Sequence, residues 1–247
     1  MSVDKKRIVY AFPHLGAGSA VYNTWSKRAQ EQPQLLFKAI EIPGRGALGC
    51  GAHIHELNEL VNKLADALHL HFLSTQDQCQ DWITFGHSFG GVISMAVSQL
   101  LERKYGMRPA LSIISASPAP CVQEQENLHL LSDEAILEKI RRDKGTPDAV
   151  LNQTLIANRL IKQLRSDYTV KSQFSALKHM RVTQPLTLIT ASKDFDVPEQ
   201  DVFAWQQHST GRTKHVEVAG DHFAIYDNWT VVVREMLQGF VSEQPVC

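Results

Sequence analysis

The heptapeptide FGHSFGG, residues 85–91, sets Ser88 between Gly86 and Gly90, with Gly91 following. The apolar run DWITF precedes it and VISMAVSQLL follows, so the serine falls where a strand gives way to a helix. At such a turn the serine backbone is strained and its hydroxyl is thrust out above the sheet. Glycines two positions to either side let the chain pass close to its neighbours. The helix that follows directs its first N–H groups and the positive end of its dipole toward any oxyanion formed there. The chemistry this suits is acyl transfer through Ser88. A serine hydroxyl is a weak nucleophile alone and needs a base held by a carboxylate.

On a strand–turn–helix scaffold of this kind the order along the chain is serine, acid, histidine, with the last two on late loops after strands. Of the 11 histidines, His222 in VEVAGDHFAIYDNW lies just past the final apolar run and before the last helix, where the base belongs. His87 adjoins Ser88 and points away from its hydroxyl, which suits packing or a pocket wall. His215 opens the last strand in a structural place, and His208 reads as a surface helix residue. For the acid, LTLITASKDFDVP offers Asp194 and Asp196 just past a strand; Asp194 is the choice and Asp196 the rival. Asp221 reads as a cap of the final helix, and Glu199 and Asp201 as first-turn partners of a helix dipole.

An oxyanion needs two N–H donors. One is Phe89, directly after the nucleophile; the other is expected near Leu15, in the small-residue loop FPHLGAGSA that follows the first strand. The GAGSA stretch lacks the full G-x-G-x-x-G pattern and its distant acidic residue, so it is not a dinucleotide fingerprint.

The elements that must carry these residues follow from patterning. Apolar runs at 7–12, 35–42, 82–85, 110–116, 185–190 and 215–220 are bounded by Gly, Pro or polar clusters, as buried parallel strands are. Between them lie stretches of helical spacing; Leu57, Leu60, Val61, Leu64, Leu68 and Phe72 share one face. GGVISMAVSQLLERK and NWTVVVREMLQGF read alike. Alternation of the two predicts an α/β fold, a mostly parallel, doubly wound sheet in one domain spanning 1–247. From about Pro118 to about Gln184 no strand is evident, and helical stretches such as SDEAILEKI, with Ser132 as N-cap, take over. This insertion reads either as a lid over the C-terminal edge of the sheet or as a long crossover with extra helices.

Composition narrows the classes. A net charge of −1 with dispersed basic residues gives no nucleic-acid footprint, and EKIRRDKG at 138–145 reads as a solvated helix face rather than a docking patch. Cys50, Cys79, Cys121 and Cys247 have neither metal-ligand nor C-x-x-C spacing. No apolar run approaches the ~20 residues of a membrane span, and the start MSVDKKRIVYAF lacks a signal-peptide core. The expectation is a cytoplasmic protein with no cofactor and no metal.

Taken together, FPHLGAGSAVYNTW, IPGRG at 42–46, FGHSFGG, LHLLSDEAILEKIRRDKGTP, LRSDY at 164–168, Trp205 eleven residues beyond Asp194, and GDHF carry a family resemblance. The chain resembles the external, or type II, thioesterases that accompany nonribosomal peptide and polyketide synthetases, within the α/β-hydrolase superfamily. The resemblance implies Ser88 as nucleophile, Asp194 as acid, His222 as base, and backbone donors at Leu15 and Phe89. It implies acyl or aminoacyl thioesters as substrates, carried on the phosphopantetheine arm of a partner carrier protein. Three positions depart from the family's pattern: HLGAG replaces an aromatic–Ala–Gly–Gly run, Ala191 stands where glycine is usual before the acid, and Asp221 where glycine often precedes the base. A small-molecule esterase or acyltransferase on the same scaffold, and a non-catalytic binding protein, are the competing readings.

Overall fold

The structure is a computed structural model that describes residues 6–45, 52–124, 126–143 and 146–238. Six strands form one sheet: β1 (Lys6–Phe12), β2 (Leu35–Ala39), β3 (Cys79–His87), β4 (Leu111–Ser115), β5 (Leu186–Ala191) and β6 (Thr213–Val218). All five pairings are parallel, in the order β2-β1-β3-β4-β5-β6. Each apolar run read as a strand is one. β2 stops short of Ile42 because its one neighbour, β1, ends at Phe12; Ala11 opposite Ala39 is the last register pair. β3 is longer than expected because β1 pairs with it along its whole length, from Lys6 to Phe12.

Helices cover both faces, as two-sided burial of a parallel sheet requires. On β1, Ile8, Tyr10 and Phe12 face one side, where they pack with α2 (Leu57–Thr75) and α3 (Phe89–Tyr105). Val9 and Ala11 face the other, with Trp25 of α1 (Asn23–Ala29) and Trp229, Val232 and Met236 of α8 (Trp229–Leu237). The predicted apolar face of the second helix is the buried one: Leu57, Leu60, Val61, Leu64 and Leu68 are all within the core.

Between β4 and β5 the α-helices among the described residues are α4 (Asp133–Asp143), α5 (Asp148–Leu151) and α6 (Thr154–Lys171). Ser132 caps α4 by accepting the Ala135 N–H at 3.2 Å. The insert has an apolar centre of its own, in which Ile136, Ile140, Leu151, Ile161, Leu164 and Tyr168 meet. In α4, Lys139 pairs with Asp143 one turn on at 2.8 Å, and Arg141 and Arg142 are exposed. Residues 144–145 of the same charge run lie outside the described residues. No helix among the described residues is long and apolar enough to cross a membrane.

The structure corrects the expectation for His208. His208 is not a surface residue but completely buried, with Nδ1 2.9 Å from Met180 O and its ring 5.3 Å from that of Trp205. The short α7 (Glu199–Phe203) runs on into a 3-10 turn over Ala204–His208, and the chain after it bridges to the segment before β5. The Val182 N–H donates to His208 O at 2.9 Å and the Thr210 N–H to Val182 O at 3.0 Å, which draws the ring inside.

The reversal of strand order lies between β1 and β3, whose neighbours diverge to opposite edges. Such a switch point leaves a crevice at the strands' C-terminal ends. Register pairs Phe12 with Gly86, so the loop after β1 and the turn at Ser88 leave the sheet side by side. Their contact is tight. A Cβ on Gly90 would lie 2.3 Å from Phe12 O and 2.6 Å from Pro13 O, and one on Gly86 would lie 2.3 Å from Gly90 O. Backbone cannot yield to a methyl group at that distance without moving the turn. Gly90→Ala is therefore expected to destabilise the protein by about 1–3 kcal/mol through overpacking, read as a lowered urea midpoint at unchanged m-value. An unmoved midpoint would refute the close approach.

Candidate active site

Ser88 is the N-cap of α3, with φ 52° and ψ −119°. That is a left-handed φ for a non-glycine residue, a strain of about 1–3 kcal/mol that surrounding structure must hold in place. Here the Ser88 N–H donates to Ser115 O at 2.8 Å, and the Gly91 N–H donates to Ser88 O at 2.9 Å. The turn is thus pinned from the next strand and from the helix it starts.

Asp194 and His222 are brought together by main-chain hydrogen bonds that prolong the β5–β6 ladder. The Ser192 N–H donates to Val218 O at 2.9 Å and the Lys193 N–H to Gly220 O at 2.8 Å. The two loops leave the sheet in step, and His222 Nδ1 lies 2.7 Å from Asp194 Oδ2. A carboxylate can only accept, so the Nδ1 proton is on the ring and Nε2 of a neutral imidazole keeps its lone pair. The other Asp194 oxygen accepts the N–H groups of Asp196 at 3.1 Å and Val197 at 3.0 Å. Asp196 is exposed and lends the site a backbone donor, while the Asp194 side chain is almost fully covered. Asp221 does not cap the last helix. Its carboxylate accepts the Phe223 N–H at 3.0 Å and shapes the turn that carries His222. Glu199 and Asp201 sit in the first turn of α7, as read from the sequence.

Ser88 and His222 line the same cavity, of about 850 Å³. Among the described residues no hydrogen bond joins the Ser88 hydroxyl to the ring. The cavity runs from Ser88 and His222 between the sheet edge and the helical insert, whose Ile140, Leu160, Leu164 and Tyr168 form its far wall. Leu15 and Phe89 line it too. Phe89 is the first residue of α3, so its N–H has no acceptor within the helix. The Phe89 ring is anchored by stacking on Phe174, 5.4 Å between centroids.

Beneath His222 is a group of rings that sequence reading did not assemble. His87 is fully buried, 4.8 Å from the His222 ring, with Nδ1 3.1 Å from Ser115 Oγ. Burial first, then the neighbouring His222 and His14, push its pKa well below the usual histidine value. His14, in the loop after β1, lies 2.6 Å from the Tyr226 hydroxyl, and burial lowers it to about 3, with His222 and Arg45 adding to the effect. Both rings are uncharged at neutral pH. His14 was legible only as a member of the FPHLGAG loop; nothing in its spacing pairs it with Tyr226, 212 positions away.

The thioesterase-domain family model matches residues 7–239. The chain belongs to the thioesterase family. Among its curated relatives are the linear gramicidin dehydrogenase LgrE of Brevibacillus parabrevis, 24% identical over 98% of this chain and 91% of that protein, and the gramicidin S biosynthesis protein GrsT of Aneurinibacillus migulanus, 25% identical over 92% and 86%. Among solved structures, RedJ, a thioesterase from the prodiginine biosynthetic pathway in Streptomyces coelicolor, is 25% identical, with a TM-score of 0.82 over 94% of this chain and 85% of that one. The α/β-hydrolase fold expected of the sequence is the fold this thioesterase shares with its structural neighbours.

The neutral ring under the site makes stability pH-dependent. The His87 pKa is depressed in the folded thioesterase, so the unfolded chain gains a proton below about pH 6.5 that the native protein refuses. Its contribution is whole above that pH and is lost as pH falls. In His87→Asn the slope of unfolding free energy against pH, between about pH 6 and pH 4, should shrink by about one proton. An unchanged slope in urea titrations would show that the ring protonates freely.

Proposed function

We propose that this thioesterase acts in trans on carrier proteins of nonribosomal peptide or polyketide synthesis, hydrolysing acyl or aminoacyl groups from the phosphopantetheine arm. One observation carries the reading: the Asp194–His222 hydrogen bond opens onto the cavity that Ser88 lines. The biosynthetic setting is supported by the relatives, since GrsT is named for gramicidin S biosynthesis and RedJ for the prodiginine pathway.

In the reaction, substrate seats with its thioester carbonyl above Ser88, and His222 Nε2 takes the hydroxyl proton as Oγ attacks. Free enzymes commonly hold nucleophile and base beyond hydrogen-bond reach until substrate closes the gap. Asp194 keeps the ring in the Nδ1–H tautomer and stabilises the imidazolium. The oxyanion rests on the N–H groups of Leu15 and Phe89. The C–S bond then breaks, and the pantetheine thiol leaves with the proton held by His222. Water enters, gives a proton to Nε2, attacks the Ser88 ester and releases the free acid, returning Ser88 to its hydroxyl form. A helix-walled cavity suits an acyl chain at one end and the extended pantetheine arm at the other.

The test is mass spectrometry of acyl-loaded carrier protein, with free acyl-CoA as comparison. Unloading is expected to be faster from the carrier, to fall by roughly 10³–10⁶-fold in Ser88→Ala and by about 10⁴-fold in Asp194→Asn. Asp196→Asn should stay within about threefold of wild type, because its contribution is a backbone N–H. Equal unloading by wild type and Ser88→Ala would overturn the mechanism, and preference for acyl-CoA would overturn the carrier assignment.

A further inference from the structure

The turn after β1 is held by side chains from two distant segments. Gly16 has a left-handed φ of 72°, and the Ala17 N–H closes the turn onto His14 O at 3.2 Å. The Gly16 N–H donates to Asp167 Oδ2 at 2.7 Å, and Gln163 Nε2 donates to Gly16 O at 2.8 Å; both side chains belong to α6 of the insert. Arg45, on the loop after β2, donates from Nη1 to Ala17 O at 2.6 Å. Its Nη2 pairs with Asp167 Oδ1, and both side chains are at least 95% covered. The Arg45 guanidinium also stands 5.6 Å above the centre of the Phe89 ring. One cation therefore contacts the turn bearing Leu15 and the residue bearing the second oxyanion donor.

Taking both charges out of water costs several kcal/mol per ion after relaxation, and replacing such pairs by apolar residues is often neutral or stabilising. Fold stability alone is thus a poor reason for a buried pair here. What the pair does, together with Gln163, is tie α6 to the three consecutive peptide units that follow Leu15. Leu15 lines the cavity, and its N–H takes no part in these bonds.

We infer that Arg45 and Asp167 are positioning residues that aim the Leu15 N–H, so that the oxyanion site is complete only while α6 is seated on the turn. This rests on the proposed hydrolase mechanism and adds to it a dependence of the chemical step on the insert. Unseating α6 both opens the cavity and disarms one donor, which limits attack by Ser88 while the cavity lies open to water.

The variant Asp167→Asn keeps an acceptor for Gly16 but turns an amide toward Arg45. Its kcat on acyl-loaded carrier, normalised to active sites titrated to completion with a fluorophosphonate, is expected to fall by about 10²-fold or more, the range for one lost oxyanion donor. KM should stay within about threefold, and the affinity of a trifluoromethyl ketone analogue of the acyl chain should fall in parallel with kcat. Arg45→Met should do the same, and the double variant should be no worse than either single one, because the two act as a unit. A purely structural role predicts fewer titratable sites with wild-type kcat per site, and that result overturns the inference. Should Asp167→Asn not fold, Gln163→Met removes the other bond from α6 to Gly16 without touching the ion pair. A kcat loss of about three- to tenfold with matching loss of analogue affinity supports the inference, and wild-type values overturn it. Wild type and Ser88→Ala run alongside: if those two are equally active, the hydrolase mechanism itself has failed, which no outcome with Asp167 can mimic.

Discussion

A backbone contact at the centre of the sheet governs this molecule. The first turn of α3 lies so near the end of β1 that a single methyl group on Gly90 would meet Phe12 O at 2.3 Å. That proximity exists because the strand order reverses between β1 and β3, which sends their neighbours apart and leaves their C-terminal ends open. Everything chemical is arranged around it. Ser88 is lifted by a strained turn on one side of the contact, and the loop carrying Leu15 lies on the other. Glycines here are for clearance, not for flexibility: Gly86 is crowded by Gly90 O at 2.3 Å and Gly91 by Ser117 Cβ at 2.6 Å.

The proposed acid and base are placed by a different device. Asp194 and His222 sit on loops that are stitched to each other by main-chain hydrogen bonds beyond the last register pair of β5 and β6. The carboxylate is then fully occupied, with one oxygen on two backbone N–H groups and the other on the ring. Such a group has little freedom to rotate, and the imidazole it holds inherits that order. Two uncharged imidazoles and a tyrosine below complete the floor without adding a competing positive charge.

What sequence reveals here is what is local. Six strands announce themselves as short apolar runs, and the Ser88 turn shows itself through glycines within three residues of it. The positions after β5 and β6 are legible because loops at that edge follow their strands directly. Sequence favours Asp194 over Asp196, but the reason it is the one beside His222, that the loop wraps around its side chain, shows only in three dimensions. His208 misleads because it follows a helix in sequence, while its burial comes from a bridge to Val182, more than twenty positions earlier. The pairing of Arg45 with Asp167 spans 122 positions and two elements with unrelated periodicities, so no pattern within either predicts it. The IPGRG and LRSDY motifs mark those residues as part of the family's signature without saying that they meet.

The helical insert has an apolar centre separate from the two that flank the sheet, built from Ile136, Ile140, Leu151, Ile161, Leu164 and Tyr168. A module cohering by its own contacts can be altered on its inner wall with little penalty to the scaffold beneath. Selection for a new acyl group can then proceed by reshaping the roof away from Asp167 and Gln163, while the floor that holds Ser88, Asp194 and His222 is inherited unchanged.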